Sequence, residues 1–331
     1  MSAGPFVPPS GDPALEAAVR SGLDAVEALL QESVKSDFPF VSETSRYLVD
    51  AGGKRFRPLL VLLASQFGDP DAPGVVPSAV VVELTHLATL YHDDVMDEAD
   101  IRRGAVSANA RWDNSVAILT GDFLFARASD ILADLGPEAV RLQARTFERL
   151  VTGQIRETVG PSEGEDPVEH YLSVLADKTG SLIATSGRFG AMLSGASAAE
   201  TDVMTRFGER VGIAFQLSDD LLDVLSETTD SGKVPGTDLR EGVPTLPVLL
   251  LRRDARPEDE RLLALLDGDL SGDDVHAEAL ALLRAHLVMQ TAQAEVASWA
   301  EQARESLAPL PEGPAKDALA ALCDQVVGRT A

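Results

Sequence analysis

Two short segments carry the same arrangement of carboxylates. HDDVMDEADIRRG holds Asp93, Asp94 and Asp97, followed closely by Arg102 and Arg103. FQLSDDLLDV holds Asp219, Asp220 and Asp223. Both read DDxxD. On a helix, residues four apart share a face, so Asp93 aligns with Asp97 and Asp219 with Asp223. His86 falls on the first face and Gln216 on the second. Carboxylates gathered this way repel, and a cation must offset that cost. The donor chemistry selects the ion. Magnesium takes oxygen ligands and is usually held by one or two carboxylates plus substrate phosphates. Zinc wants His or Cys, and the chain has five His and one Cys. Calcium favours a flexible loop with a glycine turn, whereas these acids lie in helical patterns. A di-iron bundle would need Glu with Glu-x-x-His, which is missing. The bland alternative is a solvated acidic face. The apolar neighbours Leu90, Val95, Leu217, Leu221 and Leu222 oppose it, because they mark both helices as packed.

Basic groups sit beside these acids. GGKRFRP places Lys54, Arg55 and Arg57 after a glycine pair, with Pro58 suited to a first helical turn. Three cations at a helix N-terminus make an anion site. DKTG adds Lys178 and Thr179, and SGKVPGTDLREG adds Lys233, Asp238 and Arg240. Guanidinium groups suit phosphate because their fork is bidentate. The set implies a pocket for two diphosphates, one bridged by metal to the aspartates and one held by Arg and Lys alone.

These bases stand out against a net charge of −25, from 28 basic and 53 acidic residues. Such a surface repels nucleic acid and anionic membranes, so neither is expected as a partner. The single cysteine, Cys323, rules out an internal disulfide and points to a reducing compartment. The first residues lack the pattern of a signal peptide, and no apolar run is long enough to span a bilayer. A cytoplasmic location without integral membrane association is the expectation.

The elements that must position these groups read as helices. Apolar residues recur at three and four almost throughout, while Gly and Pro fall between the segments. Alternating patterns are nearly absent, so strands are not expected. Residues 1–12, rich in Pro, Gly and Ser, read as a disordered tail. Residues 13–331 read as one all-α domain, a single large helical bundle of about a dozen helices around a central cavity. The run Val75–Leu90 is apolar on more than one face and belongs in the middle of the bundle.

Taken in order, GGKRFRP, HDDVMDEADIRRG, Gly121–Asp122, DKTG, FQLSDDLLDV and GTDLREG followed by TLP resemble the trans-isoprenyl diphosphate synthase (polyprenyl synthetase) family. The resemblance spans Gly52 to Pro247. It implies the isoprenoid-synthase fold, a homodimer and three Mg²⁺ ions with substrate bound. It implies that Asp93 and Asp97 bind two ions and Asp219 a third, with Asp223 acting through water. Asp94 and Asp220 would support them, and Lys178 would join the catalytic set. Lys54, Arg57, His86 and Arg103 would hold isopentenyl diphosphate. Arg102, Lys178, Thr179, Gln216 and Lys233 would hold the allylic prenyl diphosphate. Two departures stand out. Val243 occupies a place where the family often has lysine. Gly153–Gln154–Ile155–Arg156–Glu157 replaces the common GExxQ, exchanging amide and acid.

In this family, bulk four and five residues before the first triplet limits chain growth. Here Ala88 and Thr89 are small, and Thr85 lies one turn earlier. Phe123 on the next helix is a candidate floor. The expectation is a product longer than about C20, of roughly C30 to C50. The alternatives are a shorter farnesyl or geranylgeranyl synthase and a non-catalytic partner subunit. A terpene cyclase would carry an asymmetric second metal motif. A diphosphate hydrolase would release phosphate without isopentenyl diphosphate.

Overall fold

Asp12 starts the first helix. Its carboxylate accepts from the backbone N–H groups of Ala14 (2.8 Å) and Leu15 (3.1 Å), with Pro13 at the first helical position. Asp12 is therefore a cap rather than tail, and most of the expected tail lies outside the described residues. The structure is a computed structural model describing residues 11–226 and 235–330. Lys233 also lies outside the described residues.

The helices, in chain order, are α1 (Pro13–Ser33), α2 (Pro39–Asp50), α3 (Phe56–Ser65), α4 (Val75–Met96), α5 (Ala108–Trp112), α6 (Asn114–Leu135), α7 (Pro137–Val159) and α8 (Pro167–Leu175). A π-helical turn, Ala176–Gly180, precedes α9 (Ser181–Leu193) and α10 (Ala198–Leu225). Then come α11 (Thr237–Arg240), α12 (Leu246–Arg253), α13 (Glu260–Leu266), α14 (Asp273–Ala285), α15 (Val288–Ser306) and α16 (Pro314–Gly328). The fold class is all-α, as the periodicity predicts.

The chain divides into two compact units. The first comprises Met1–Glu148, Leu182–Gly208 and Ser306–Ala321; the second comprises Arg149–Ser181, Glu209–Glu305 and Leu322–Ala331. In the first, α4 is the centre, packed against α1, α3 and α6. Thirteen of its residues are buried, from Val75 to Asp94, including the all-round apolar stretch singled out in the sequence. Close helix approach depends on glycine here. A Cβ on Gly121 of α6 would stand 2.3 Å from His92 Nε2 and 3.0 Å from the Ala88 carbonyl. In the second unit, α8 packs with α12, and α14 with α11 and α13.

Three local features depart from the sequence reading. A two-residue hairpin, β1 (Ile101–Arg102) with β2 (Ala105–Val106), follows the first triplet. Its turn residues Arg103 (φ 52°) and Gly104 (φ 76°) both adopt positive φ, the geometry of a tight hairpin. Helix α2 is not singled out in the sequence; it buries Thr44, Ser45, Leu48 and Val49 on one face. The long pattern from Asp274 to Leu307 breaks after α14. His286 turns extended there, and its Nδ1 accepts from Val288 N at 3.0 Å, capping α15.

Candidate active site

In the first unit the triplet ends α4. Asp94 is fully buried, Asp93 half-buried and Asp97 exposed at the helix C-cap. Arg102 Nε donates to Asp94 Oδ1, and its Nη2 lies 3.9 Å from Asp97 Oδ2. The hairpin thus folds a guanidinium back onto the acids that precede it. Burial raises the Asp94 carboxyl above the ordinary value, and the Arg102 charge opposes that rise.

Behind this helix end lies a cation cluster. Arg103 donates to the carbonyls of Leu48 (2.9 Å) and Gly52, and its guanidinium packs 3.2 Å from the position of a Gly53 Cβ. The second glycine of the pair therefore makes room for Arg103. Arg57 is lowered to about 10 by burial. His86 is held well below the ordinary range by burial and then by Arg57, Arg103, Arg102 and Arg55, so the ring is neutral near pH 7. Arg55 behaves differently from its motif neighbours. It adopts a left-handed conformation (φ 50°, ψ 36°) at the start of α3, and its guanidinium is engaged by Glu27, Glu83 and the Val49 carbonyl. The sequence reading of three cations at one anion site is corrected for Arg55, which points into the protein.

In the second unit the triplet ends α10. Again the middle acid is the buried one, Asp220, at 8% exposure. Tyr171 OH donates to its Oδ2, and Gln216 Nε2 donates to its Oδ1 at 2.8 Å. Thr179 Oγ1 donates in turn to Gln216 Oε1 at 3.2 Å. Burial pushes the Asp220 carboxyl up to about 6, although both hydrogen bonds pull it down. Asp219 receives a hydrogen bond from Arg329 Nη2, and that guanidinium lies 4.9 Å from the Phe215 ring centroid. Asp223 accepts from the backbone N–H groups of Thr237 (3.2 Å) and Asp238 (3.1 Å), which anchors α11 beside the triplet.

Lys178 sits in the π-helical turn and ion-pairs with Glu157. That pair gives the amide–acid exchange a local account. A carboxylate now stands where the usual pattern has an amide, and it meets the DKTG lysine. A Cβ on Gly153 would lie 2.8 Å from Lys178 N, so the first glycine of the pattern is a close-approach residue. Val243 is 41% exposed, and its backbone N–H donates to the Asp238 carbonyl at 2.9 Å, closing the turn after α11 without a side-chain contribution.

On the α4 face proposed for the product tail, Thr85 and Ala88 are fully buried and Thr89 half-buried. Phe123 is half-buried on α6. Thr85 Oγ1 accepts a 2.7 Å hydrogen bond from Gln143 Nε2, and Thr146 and Thr185 hydroxyls pair at 2.6 Å. Sequence reading missed Gln143, Tyr171, Glu83 and Arg329, all of which contact their partners from distant parts of the chain. Glu83 alone left a local trace, as the single acid in the apolar run VVVELTH.

The residues fit a hard divalent cation and a diphosphate. Among the described residues no three His, Cys, Asp or Glu side chains converge tightly enough to ligate a metal by themselves. Among the described residues Asp94 Oδ2 is a sealed acceptor without a hydrogen-bond partner, and Arg57 Nε, in the same unit, a sealed donor without one. A hard acceptor suits a cation and a guanidinium donor suits an anion.

Comparison with known proteins agrees. The family model described as polyprenyl synthetase matches residues 38–283. A nonaprenyl diphosphate synthase of Mycobacterium tuberculosis is 52% identical over 320 residues, covering 96% of each chain. A geranylgeranyl pyrophosphate synthase of Corynebacterium glutamicum, solved with calcium and isoprenyl diphosphate, superposes with TM-score 0.87 at 48% identity. The match covers 97% of this chain and 98% of that one. A decaprenyl diphosphate synthase of Rhodobacter capsulatus superposes with TM-score 0.86 at 32% identity, covering 96% and 99%. No described helix is long and apolar enough to cross a membrane. The chain belongs to the polyprenyl synthetase family of prenyltransferases, with the all-α isoprenoid-synthase fold.

Proposed function

We propose that the protein is a trans-polyprenyl diphosphate synthase that adds isopentenyl diphosphate units to an allylic diphosphate, with a product longer than about C20. The observation that carries this reading is the shared build of the two triplets. In each, the middle aspartate is buried and tied down while the outer ones are more accessible, beside cations suited to phosphate. The relatives' nonaprenyl and decaprenyl products support the long chain.

In this reading Asp93 and Asp97 would hold two Mg²⁺ ions, and Asp219 with Asp223 would hold a third. Bound magnesium would supply positive charge to the oxygens of the departing diphosphate. By the family pattern Arg102, Lys178 and Lys233 are each assigned to the allylic diphosphate, and cations in that role would stabilise its growing charge as the C–O bond breaks. Lys178 must leave Glu157 to do so. Thr179 and Gln216 orient around the reacting end. Lys54, Arg57, Arg103 and neutral His86 position isopentenyl diphosphate so that its double bond attacks the allylic cation. A proton is then lost, and the released diphosphate is the acceptor. The apolar walls of α4 exclude water that would quench the cation. The active form is a homodimer in the cytoplasm.

One observation favours a second reading, a shorter product. The buried Gln143–Thr85 hydrogen bond sets polar atoms one turn below Ala88, where a long tail would have to pass. Product sizing decides between them. The purified protein is incubated with Mg²⁺, labelled isopentenyl diphosphate and farnesyl or geranylgeranyl diphosphate. A ladder passing C20 is expected, shortened by Ala88→Phe. Products that stop at C15 or C20 keep the enzyme class and overturn the long chain. No condensation by folded protein overturns the catalytic reading in favour of a subunit that needs a partner.

A further inference from the structure

Four cationic or potentially cationic side chains, Arg55, Arg57, Arg103 and His86, crowd the inner end of the glycine-rich loop. One acid faces them from within the protein. Glu83, on α4 one turn before His86, is 2% exposed. Its Oε1 accepts from Arg55 Nη1 at 2.9 Å. The Arg55 guanidinium is 6% exposed and donates on its other side to Glu27 of α1 (3.0 Å from Nε) and to the Val49 carbonyl of α2 (3.2 Å). One buried group thereby ties α1, α2 and α4 to the loop that presents Lys54 and Arg57.

A non-glycine residue in the left-handed region is strained and persists only where its surroundings over-determine it. Here the surroundings are those ion pairs. Arg55 directs its donors inward, while Lys54 before it is exposed. Glu83 has a second effect. Its charge favours the protonated forms of Arg57 and Arg103, which burial disfavours. It does this without a hydrogen bond to either among the described residues; Arg103 donates instead to the Leu48 and Gly52 carbonyls.

We propose that Glu83, acting through Arg55, is a positioning residue for the isopentenyl diphosphate pocket, setting the loop conformation that presents its cations. This inference rests on the proposed function. It separates Glu83, whose side chain is 3% exposed, from Glu27, which grips the same guanidinium with a side chain 42% exposed, where water screens the pair.

The test compares Glu83→Gln, Glu83→Asp and Glu27→Gln by steady-state kinetics and by calorimetric titration with isopentenyl diphosphate. Glu83→Gln should raise KM for isopentenyl diphosphate roughly 10- to 100-fold, the range of lost supporting contacts. Its kcat and its KM for the allylic substrate should move less than about threefold on the same scale. Glu83→Asp should recover part of the loss, and Glu27→Gln should stay near wild type. Calorimetry should show the same ranking. An unchanged KM for isopentenyl diphosphate in Glu83→Gln would overturn the proposal. So would a parallel rise in the allylic KM, or an equal loss in Glu27→Gln. If Glu83→Gln fails to fold, the double variant Arg55→Met/Glu83→Leu removes both charges together and must show the same selective loss. Wild-type protein that binds isopentenyl diphosphate yet condenses nothing counts against the proposed function, while the binding comparison still decides the role of Glu83.

Discussion

The two aspartate triplets are alike in sequence and unlike in support. Asp94 is sealed against a cation, Arg102, supplied by the hairpin that directly follows. Asp220 is sealed against neutral donors, the Tyr171 hydroxyl and the Gln216 amide, one of which comes from another helix. Burial lifts the proton affinity of both carboxyls; the Arg102 charge opposes the rise at Asp94, and only neutral hydrogen bonds oppose it at Asp220, which reaches about 6. Identical DDxxD spacing therefore specifies which oxygens can face a metal but not how firmly each triplet holds its charge.

The largest effects should be equal at the two sites. Asp93→Ala and Asp219→Ala should each lower kcat for condensation roughly 10²- to 10³-fold, the scale of losing one pre-organised charge contact. Quenched-time-course assays measure this. A loss below tenfold at one site only would break the symmetry and leave a single functional triplet.

Stability should then separate them. Arg102→Gln leaves the Asp94 charge buried without its partner and should lower the unfolding free energy by about 3 kcal/mol. Tyr171→Phe removes one neutral donor while Gln216 remains, and should cost about 1 kcal/mol. Urea titration in chelator reads both. Equal losses would mean that the cation gives Asp94 nothing beyond a hydrogen bond.

A pH titration sharpens the contrast further. The folded Asp220 carboxyl, at about 6, lies above its ordinary 3.8. The folded state therefore takes up this proton first as pH falls. The group's contribution to stability is least above pH 6 and grows between about pH 6 and pH 4. Asp220→Asn lacks that proton. The wild-type advantage over the variant should thus increase toward acid, by at most about 3 kcal/mol. A flat difference would show that water reaches Asp220 and that its seal is incomplete.

The smallest effect concerns metal demand. Tyr171→Phe should raise the Mg²⁺ concentration for half-maximal rate by about tenfold, the lower end for a lost supporting contact. An unchanged requirement would mean that Gln216 alone orients Asp220.

Much of this was legible in the chain. The acid triplets, GGKRFRP, DKTG and the small residues Ala88 and Thr89 are local patterns, and helical period three to four assigns them to faces without a partner in view. The pattern also showed the buried character of α4, because burial on every side leaves no polar stripe. Only tertiary structure decided which cation serves which acid. It turned Arg55 inward to Glu83 and Glu27, brought Tyr171 to Asp220 and Arg329 to Asp219, and set Glu157 against Lys178. Each of those pairs joins residues well apart in the chain. Spacing along a helix fixes direction, but whether a charge is buried, and against what, depends on packing that no local window contains.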